Sequence, residues 1–330
     1  MKKVNIAIIS YGRIGRVHMK NLVASPYYNV VMVCDIVKPD DFETEYPEIS
    51  FVSEYAEVLA NPDVDAVLIG TPTSLHPMQI KAAAEAGKHV FCEKPLGSSM
   101  KEILKAYEAV KKSGVIMQTG FDRRFDDDFL AIKSRISEIG EPQILKITSR
   151  DPGMPPIEYV EKSGGLFMDM TIHDFDMARY MFGEVKSIFV QAAALVEPAI
   201  TTYGDVDTAI ITLTFENGAV GVIDNSRQAV YGYDQRIEVF GSKGMLQNDN
   251  HLESNTVLSS KAGVFSEKPQ HFFLERYLKS YDTELTYFAK SILDESPVVC
   301  TMEDGIMAVK IAQAAQKSYQ IGSTVVLSNS

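Results

Sequence analysis

The sequence predicts an α/β protein with two parts: an N-terminal doubly wound parallel domain over residues 1–121, and an α+β domain with a mostly antiparallel open sheet over residues 122–330. Three observations carry this. Short β-branched runs alternate with amphipathic stretches through the first third of the chain, the pattern of βαβ units. Beyond about residue 121 strand-like runs follow one another instead, two of them separated by Asn217-Gly218, a hairpin signal. The length of 330 residues also exceeds the ~250–300 at which single cores stop growing.

Val4–Ile9, Val30–Cys34, Ala66–Ile69, Val90–Cys92 and Val115–Met117 are short, apolar throughout and bounded by turn residues. Such runs suit strands covered on both faces. Between them Gly87 follows KAAAEA and Gly114 follows AVKKS, each placed for the left-handed cap that ends a helix. Ser99 and Glu102 have capping-box spacing at the start of the helix ending near Ser113. In the second part, a helix is expected over Asp127–Glu138 and a strand over Ile144–Ser149, followed by the loop DPGMPP. One helix then runs from Gly165 to Phe182, stopped by Gly183. Strands follow over Lys186–Val196, Asp207–Phe215, Ala219–Asn225 and Gln235–Phe240, and helices return over Phe272–Leu293 and Glu303–Gln320. A two-residue turn at Asn217-Gly218 makes its strands antiparallel.

The net charge of −12, from 32 basic and 44 acidic residues, repels phosphate backbones and anionic lipids, so neither nucleic acid nor membrane is an expected partner. The three cysteines, Cys34, Cys92 and Cys300, show no CxxC spacing and form no even set. Cys34 and Cys92 end apolar runs, where a reduced cysteine acts as a small hydrophobe, so a reducing compartment is expected. The opening MKKVNIAIIS has an apolar stretch of about five residues, short of the ~7–15 of a secretory segment. No run reaches the ~18 apolar residues of a membrane span. The expectation is a soluble, cytoplasmic protein.

The first strand runs into Ser10-Tyr11-Gly12-Arg13-Ile14-Gly15, which is similar to the GxGxxG fingerprint of a Rossmann dinucleotide-binding domain with Ser10 in the first glycine's place. Gly12 would let the pyrophosphate approach the backbone, beside Arg13 and Ile14 at the helix start, while Gly15 would let helix and strand pack closely. A flavodoxin-like turn has a similar pattern, but Asp35 ends the second strand about 20 residues on, where a carboxylate accepts ribose hydroxyls and repels the extra phosphate of NADP. NAD is therefore the expected cofactor, with Lys38 the one nearby cation that could favour NADP. Thr71, Pro72, Thr73 and His76 of TPTSLH, and Glu93 and Lys94 of EKP, follow two further strands. That is where ligands bind on an open parallel sheet.

Asp169 and His173 are four residues apart in a helical segment, so on a continuous helix they share a face one turn apart. The pair suits a histidine base with a carboxylate orienter or relay, since histidine titrates near neutrality. A solvated surface pair is the alternative; for a metal site no third ligand stands at a telling spacing. Together GRIG, TPTSLH, CEKPL and GGLFMDMTIHDFD resemble the glucose-fructose oxidoreductase/inositol dehydrogenase (Gfo/Idh/MocA) family along the whole chain. RDPGMPPIEYV, QAVYGYDQRIEVFGSKGML and FFLERYLKSY resemble its inositol 2-dehydrogenase branch. The resemblance implies NAD-dependent oxidation of a ring hydroxyl of a cyclic polyol, myo-inositol to the inosose, with Lys94, Asp169 and His173 as catalytic residues. It implies polyol contacts from Arg123 or Arg124, Asp151, Tyr233 and Tyr281, although the arginines also suit structural ion pairs and the tyrosines core positions. Asp122 stands where the family often has asparagine. The resemblance further implies a homotetramer formed through the open sheet. An aldose or another inositol isomer as substrate, and a non-catalytic NAD sensor, are the other readings.

Overall fold

The computed structural model describes residues 2–327. The chain forms two compact units: residues through Phe125 with Lys279–Val309, and Asp126–Leu278 with residues from Lys310 on. A segment from late in the sequence therefore returns to the first unit.

In the first unit β1 (Val4–Ile9), β2 (Tyr28–Cys34), β3 (Ser50–Val52), β4 (Ala66–Ile69), β5 (His89–Glu93) and β6 (Met117–Gly120) form one sheet in the order β3-β2-β1-β4-β5-β6. Every neighbouring pair is parallel. All four residues of β4 are buried, as a central strand covered on both faces requires. The intervening helices are α1 (Arg13–Ala24), α2 (Phe42–Glu45), α3 (Tyr55–Ala60), α4 (His76–Glu85) and α5 (Met100–Ser113). Gly114 ends α5 at φ 70°, the left-handed cap its sequence called for. The capping box at Ser99 does not form: Ser99 is the N-cap, but only its carbonyl is used, accepting from the Glu102 and Ile103 N–H groups.

The second unit contains α6 (Asp127–Ser134), β7 (Pro142–Arg150), α7 (Ile157–Ser163), α8 (Gly165–Asp169), α9 (Thr171–Phe182), β8 (Val185–Ala193), β9 (Thr208–Phe215), β10 (Val220–Ser226), β11 (Asp234–Gly241) and β12 (Gly244–Gln247). With β15 (Val325–Val326), and leaving aside the separate hairpin of β13 (Val257–Ser260) and β14 (Gly263–Ser266), the strands make a seven-stranded sheet ordered β12-β11-β7-β10-β9-β8-β15. It is antiparallel except for the pair β7–β10.

Two expected elements differ in form. The turn at Asn217-Gly218 has three residues: the Phe215 N–H reaches the Ala219 carbonyl at 2.9 Å, and Gly218 takes φ 88°. This is a type I turn followed by a left-handed residue, which keeps the strands antiparallel. The helix expected over Phe272–Leu293 is broken at Tyr277 into α10 (Phe273–Arg276) and α11 (Leu278–Leu293). Leu285, Phe288 and Ala289 of α11 join the core of the first unit with Phe91 and Leu68. The last helix, α12, runs Met302–Ile321.

Candidate active site

In the first unit, β1 delivers its turn at the carboxyl edge of the sheet. Ser10 has φ 87°, a strained value for any residue with a β-carbon, and its N–H bonds the Cys34 carbonyl at 2.8 Å. A β-carbon on Gly15 would lie 2.1 Å from the Ser10 carbonyl oxygen, whereas one on Gly12 would meet nothing nearer than 3.6 Å. Gly15 therefore seats α1 on β1, and Gly12 leaves the approach to the backbone open. Gly12 caps α1 with no side-chain bond, and the helical ladder begins only with Arg16 N–H to Gly12 carbonyl at 3.0 Å. The N–H groups of Arg13 and Ile14 precede that first ladder bond, a position that suits an anion.

Asp35, just beyond β2, accepts the Tyr11 N–H at 2.6 Å on one oxygen and the Val37 N–H at 3.2 Å on the other. A carboxylate has about four acceptor positions, so about two remain for further donors. Lys38 is paired with Glu43 at 2.5 Å, which balances the one cation that favoured NADP. The open glycine, the helix start and the carboxylate together fit NAD.

The ends of β4 and β5 complete this edge. The Thr71 hydroxyl donates to Gln79 Oε1 at 2.5 Å, and exposed Pro72 leads into a short 3-10 turn over Thr73–Leu75. Both ring nitrogens of buried His76 meet carbonyls, of Pro95 at 2.7 Å and Thr71 at 2.8 Å. Burial holds its pKa below the usual value although both carbonyls oppose this, and a neutral ring donates to only one of them. His76 thus ties the two loops together. Glu93 is buried against His18, and half-buried Lys94 follows at the strand end. Arg124 is buried, bonding Asp304 and the Val299 carbonyl at 3.1 and 3.0 Å, the ion pair its sequence also allowed. Tyr281 is buried with its ring edge-on to His18.

In the second unit, the single helix expected over Gly165–Phe182 is interrupted at Met170, between Asp169 and His173. The Thr171 hydroxyl bonds the Leu166 carbonyl and, at 2.6 Å, Asn225 Oδ1 of β10. Asn225 in turn donates to Asp174 at 2.8 Å and to the Ser149 carbonyl at 3.2 Å. This buried network anchors the start of α9 to the sheet. Asp169 ends α8, and His173 lies in the first turn of α9.

Asp169 accepts the Tyr159 hydroxyl at 2.9 Å and lies 3.3 Å from Nη1 of Arg227. Arg227 is 1% exposed, and its Nε and Nη2 meet no hydrogen-bond acceptor among the described residues. Asp205 caps α8 by accepting the Leu166 N–H at 2.8 Å; burial raises its pKa, against the opposing effect of that bond and of Arg227. Arg150, Ser226 and Asp234 pair across adjacent strand ends. Their neighbours Asp151, Arg227 and Tyr233 therefore gather at one end of the sheet. Asp151 is fixed through its backbone, to the Ser226 carbonyl at 2.9 Å and the Ala229 N–H at 2.6 Å. Tyr233 is buried edge-on to Phe272 and Tyr277. Arg227, Asn225, His18 and Glu284 carry no local sequence signal, because their partners are distant along the chain.

Residues 4–121 match the model of the oxidoreductase family with an NAD-binding Rossmann fold, and residues 129–247 match the GFO/IDH/MocA C-terminal domain. The chain is 50% identical to the uncharacterized oxidoreductase YrbE of Bacillus subtilis, covering 98% of this chain and 96% of that protein. It is 45% identical to the myo-inositol 2-dehydrogenase of Thermotoga maritima, over 96% of each. The scyllo-inositol dehydrogenase of Lactobacillus casei, solved with NAD(H) and scyllo-inositol, superposes with a TM-score of 0.91 at 28% identity, over 98% of this chain and 99% of that one. The fold and the dinucleotide cradle define an NAD-binding oxidoreductase. The chain belongs to the Gfo/Idh/MocA family. Among the described residues no helix is long and apolar enough to cross a membrane.

Proposed function

We propose that the chain is an NAD-dependent inositol dehydrogenase that oxidises one ring hydroxyl of myo-inositol to the inosose. The observation carrying this reading is the strand-end arrangement of the first unit: Lys94 follows β5 on the edge where β1 and β2 present Gly12 and Asp35. The inositol dehydrogenases of Thermotoga maritima and Lactobacillus casei support the substrate class. Gly12, Arg13, Ile14, Asp35 and the Thr71–Thr73 and Glu93–Lys94 loops would hold NAD, which would supply the acceptor for the hydride of the carbinol carbon. His173 takes the hydroxyl proton as general base. Lys94 hydrogen-bonds the reacting oxygen and stabilises its developing negative charge. Asp169, its own charge stabilised by Arg227 and Tyr159, orients the base and passes the proton on. Asp151, Tyr233 and Tyr281 supply contacts to the remaining hydroxyls.

The isomer is the finer question, because the Lactobacillus casei relative binds scyllo-inositol. The test follows NADH absorbance with myo-, scyllo- and chiro-inositol and glucose, with NADP in parallel. Turnover of myo-inositol with NAD, abolished in Lys94→Ala and His173→Ala, is the expected result. Turnover of glucose alone would remove inositol as substrate while keeping the dehydrogenase.

The same reading includes a homotetramer. Ile144, Val220 and Phe240 form a row across β11, β7 and β10, each more than a third exposed, and contiguous exposed apolar surface marks an interface. Light scattering is expected to give four chains; a monomer would overturn this part.

A further inference from the structure

His18 of α1, Glu93 at the end of β5 and Glu284 of α11 meet inside the first unit. His18 and Glu284 are 0% exposed and Glu93 is 8%, and one polar atom of each lies within 4.8 Å of the others. His18 Nε2 is 2.6 Å from Glu93 Oε1. The Phe91 and Tyr281 rings stand edge-on to the imidazole at 5.4 and 5.7 Å, leaving it little freedom. His18 Nδ1 and both Glu284 oxygens have no hydrogen-bond partner among the described residues.

Two kinds of site use such a trio. Ligands of a divalent ion such as zinc sit about 2.0–2.2 Å from it, which at tetrahedral angles keeps them roughly 3.3 Å apart. The His18–Glu93 contact is shorter than that and is a hydrogen bond. Burial, then the charges of Glu93 and Asp122, push the Glu284 pKa well above the usual carboxyl range. The His18–Glu93 pair is a hydrogen-bonded brace inside this buried cluster.

The brace grips the residue that shares a peptide bond with Lys94. Fixing the Glu93 side chain fixes its backbone, and with it the point from which the lysine starts. We propose that His18 is a positioning residue: it holds Glu93 and thereby sets Lys94 at the reacting oxygen. This rests on the role of Lys94 proposed above. A misplacement of about 1 Å at a reacting group costs on the order of a hundredfold in rate, so loss of the brace is read mainly in kcat.

The experiment compares His18→Leu with His18→Gln, whose amide nitrogen reaches the place of Nε2 and keeps the bond to Glu93. His18→Leu is expected to lower kcat by about tenfold to a hundredfold with KM and the NADH dissociation constant little changed. The isotope effect on kcat with substrate deuterated at the reacting carbon should rise, as chemistry becomes limiting. His18→Gln should recover most of the rate. A crystal structure of the leucine variant should show Lys94 displaced, and one of the glutamine variant should show it in place. Should His18→Leu fail to fold, His18→Met gives the same readouts.

Wild-type kcat in the folded leucine or methionine variant would overturn the proposal. So would equal impairment of the leucine and glutamine variants, or a change confined to KM. One divalent ion per purified chain, lost in Glu284→Gln, would overturn it in favour of a metal centre. The Lys94→Ala control separates the two readings: if that variant turns over normally, the role of Lys94 fails whatever His18 does.

Discussion

Replacing Asp35 tests the cofactor site with two variants that separate its duties. One carboxylate oxygen accepts the Tyr11 N–H at 2.6 Å and the other the Val37 N–H at 3.2 Å, so the side chain braces the glycine turn in addition to the ribose contact proposed for it. Asp35→Asn keeps an oxygen for the Tyr11 N–H but removes the charge. A hydrogen bond to a charged group contributes about 1.5–3 kcal/mol. At about 1.4 kcal/mol per tenfold, NAD affinity should weaken by roughly one to two decades. Asp35→Ala also strands the Tyr11 N–H, at a cost of about 1–3 kcal/mol that falls on stability. NADP should lose less than NAD in both variants, since the repelling charge is gone, and gain little outright because Lys38 is held by Glu43. Fluorescence titration with NADH and NADPH, with thermal melts alongside, reads these outcomes. Wild-type NADH affinity in Asp35→Asn would refute the reasoning, because the carboxylate would then serve only the turn.

Gly15→Ala places a β-carbon 2.1 Å from the Ser10 carbonyl oxygen, so α1 must move off β1. Overpacking of this kind costs about 1–3 kcal/mol, and both a lower melting temperature and loss of NADH binding are expected; an unchanged titration would mean the pyrophosphate does not use this turn. Arg227→Leu removes the buried cation beside Asp169 and Asp205, and breaking such a pair costs about 3–5 kcal/mol, measurable by urea unfolding. Adding Asp205→Asn should return part of that loss, and no recovery would show that Asp205 does not feel the guanidinium. Glu284→Gln tests the raised carboxyl among Glu93, Asp122 and His18. Below the ordinary carboxyl pKa both folded and unfolded chains hold this proton, and as pH rises only the unfolded chain releases it, so wild-type stability falls. The variant lacks that loss, so its melting temperature relative to wild type should rise from pH ~5 to ~8; a constant difference would place Glu284 in ionised form.

The sequence alone determined β1, β2, β4 and β5, because a strand covered on both faces is an apolar run read within a few residues; it missed the half-exposed edge strand β3 and expected Val115–Met117 where β6 runs Met117–Gly120, a strand whose polar Gln118 and Thr119 break the apolar run. The turn after β1 was legible too, because the close seat of Gly15 on Ser10 and the bond of Asp35 to the Tyr11 N–H follow from local backbone geometry and a short chain interval. Ser10 was visible as a departure from the fingerprint, but its positive φ was not. The tertiary structure alone decided where α8 gives way to α9, since Thr171 turns to Asn225, 54 residues away. That break falls between Asp169 and His173, which the sequence had placed on one helix. It also decided the return of residues 279–309 to the first unit, which brings Glu284 to His18 and Glu93. Arg227 reaches Asp169 across 58 residues and His18 reaches Glu93 across 75. A contact between distant side chains imposes no periodicity on the residues around it, so only the folded chain reveals it.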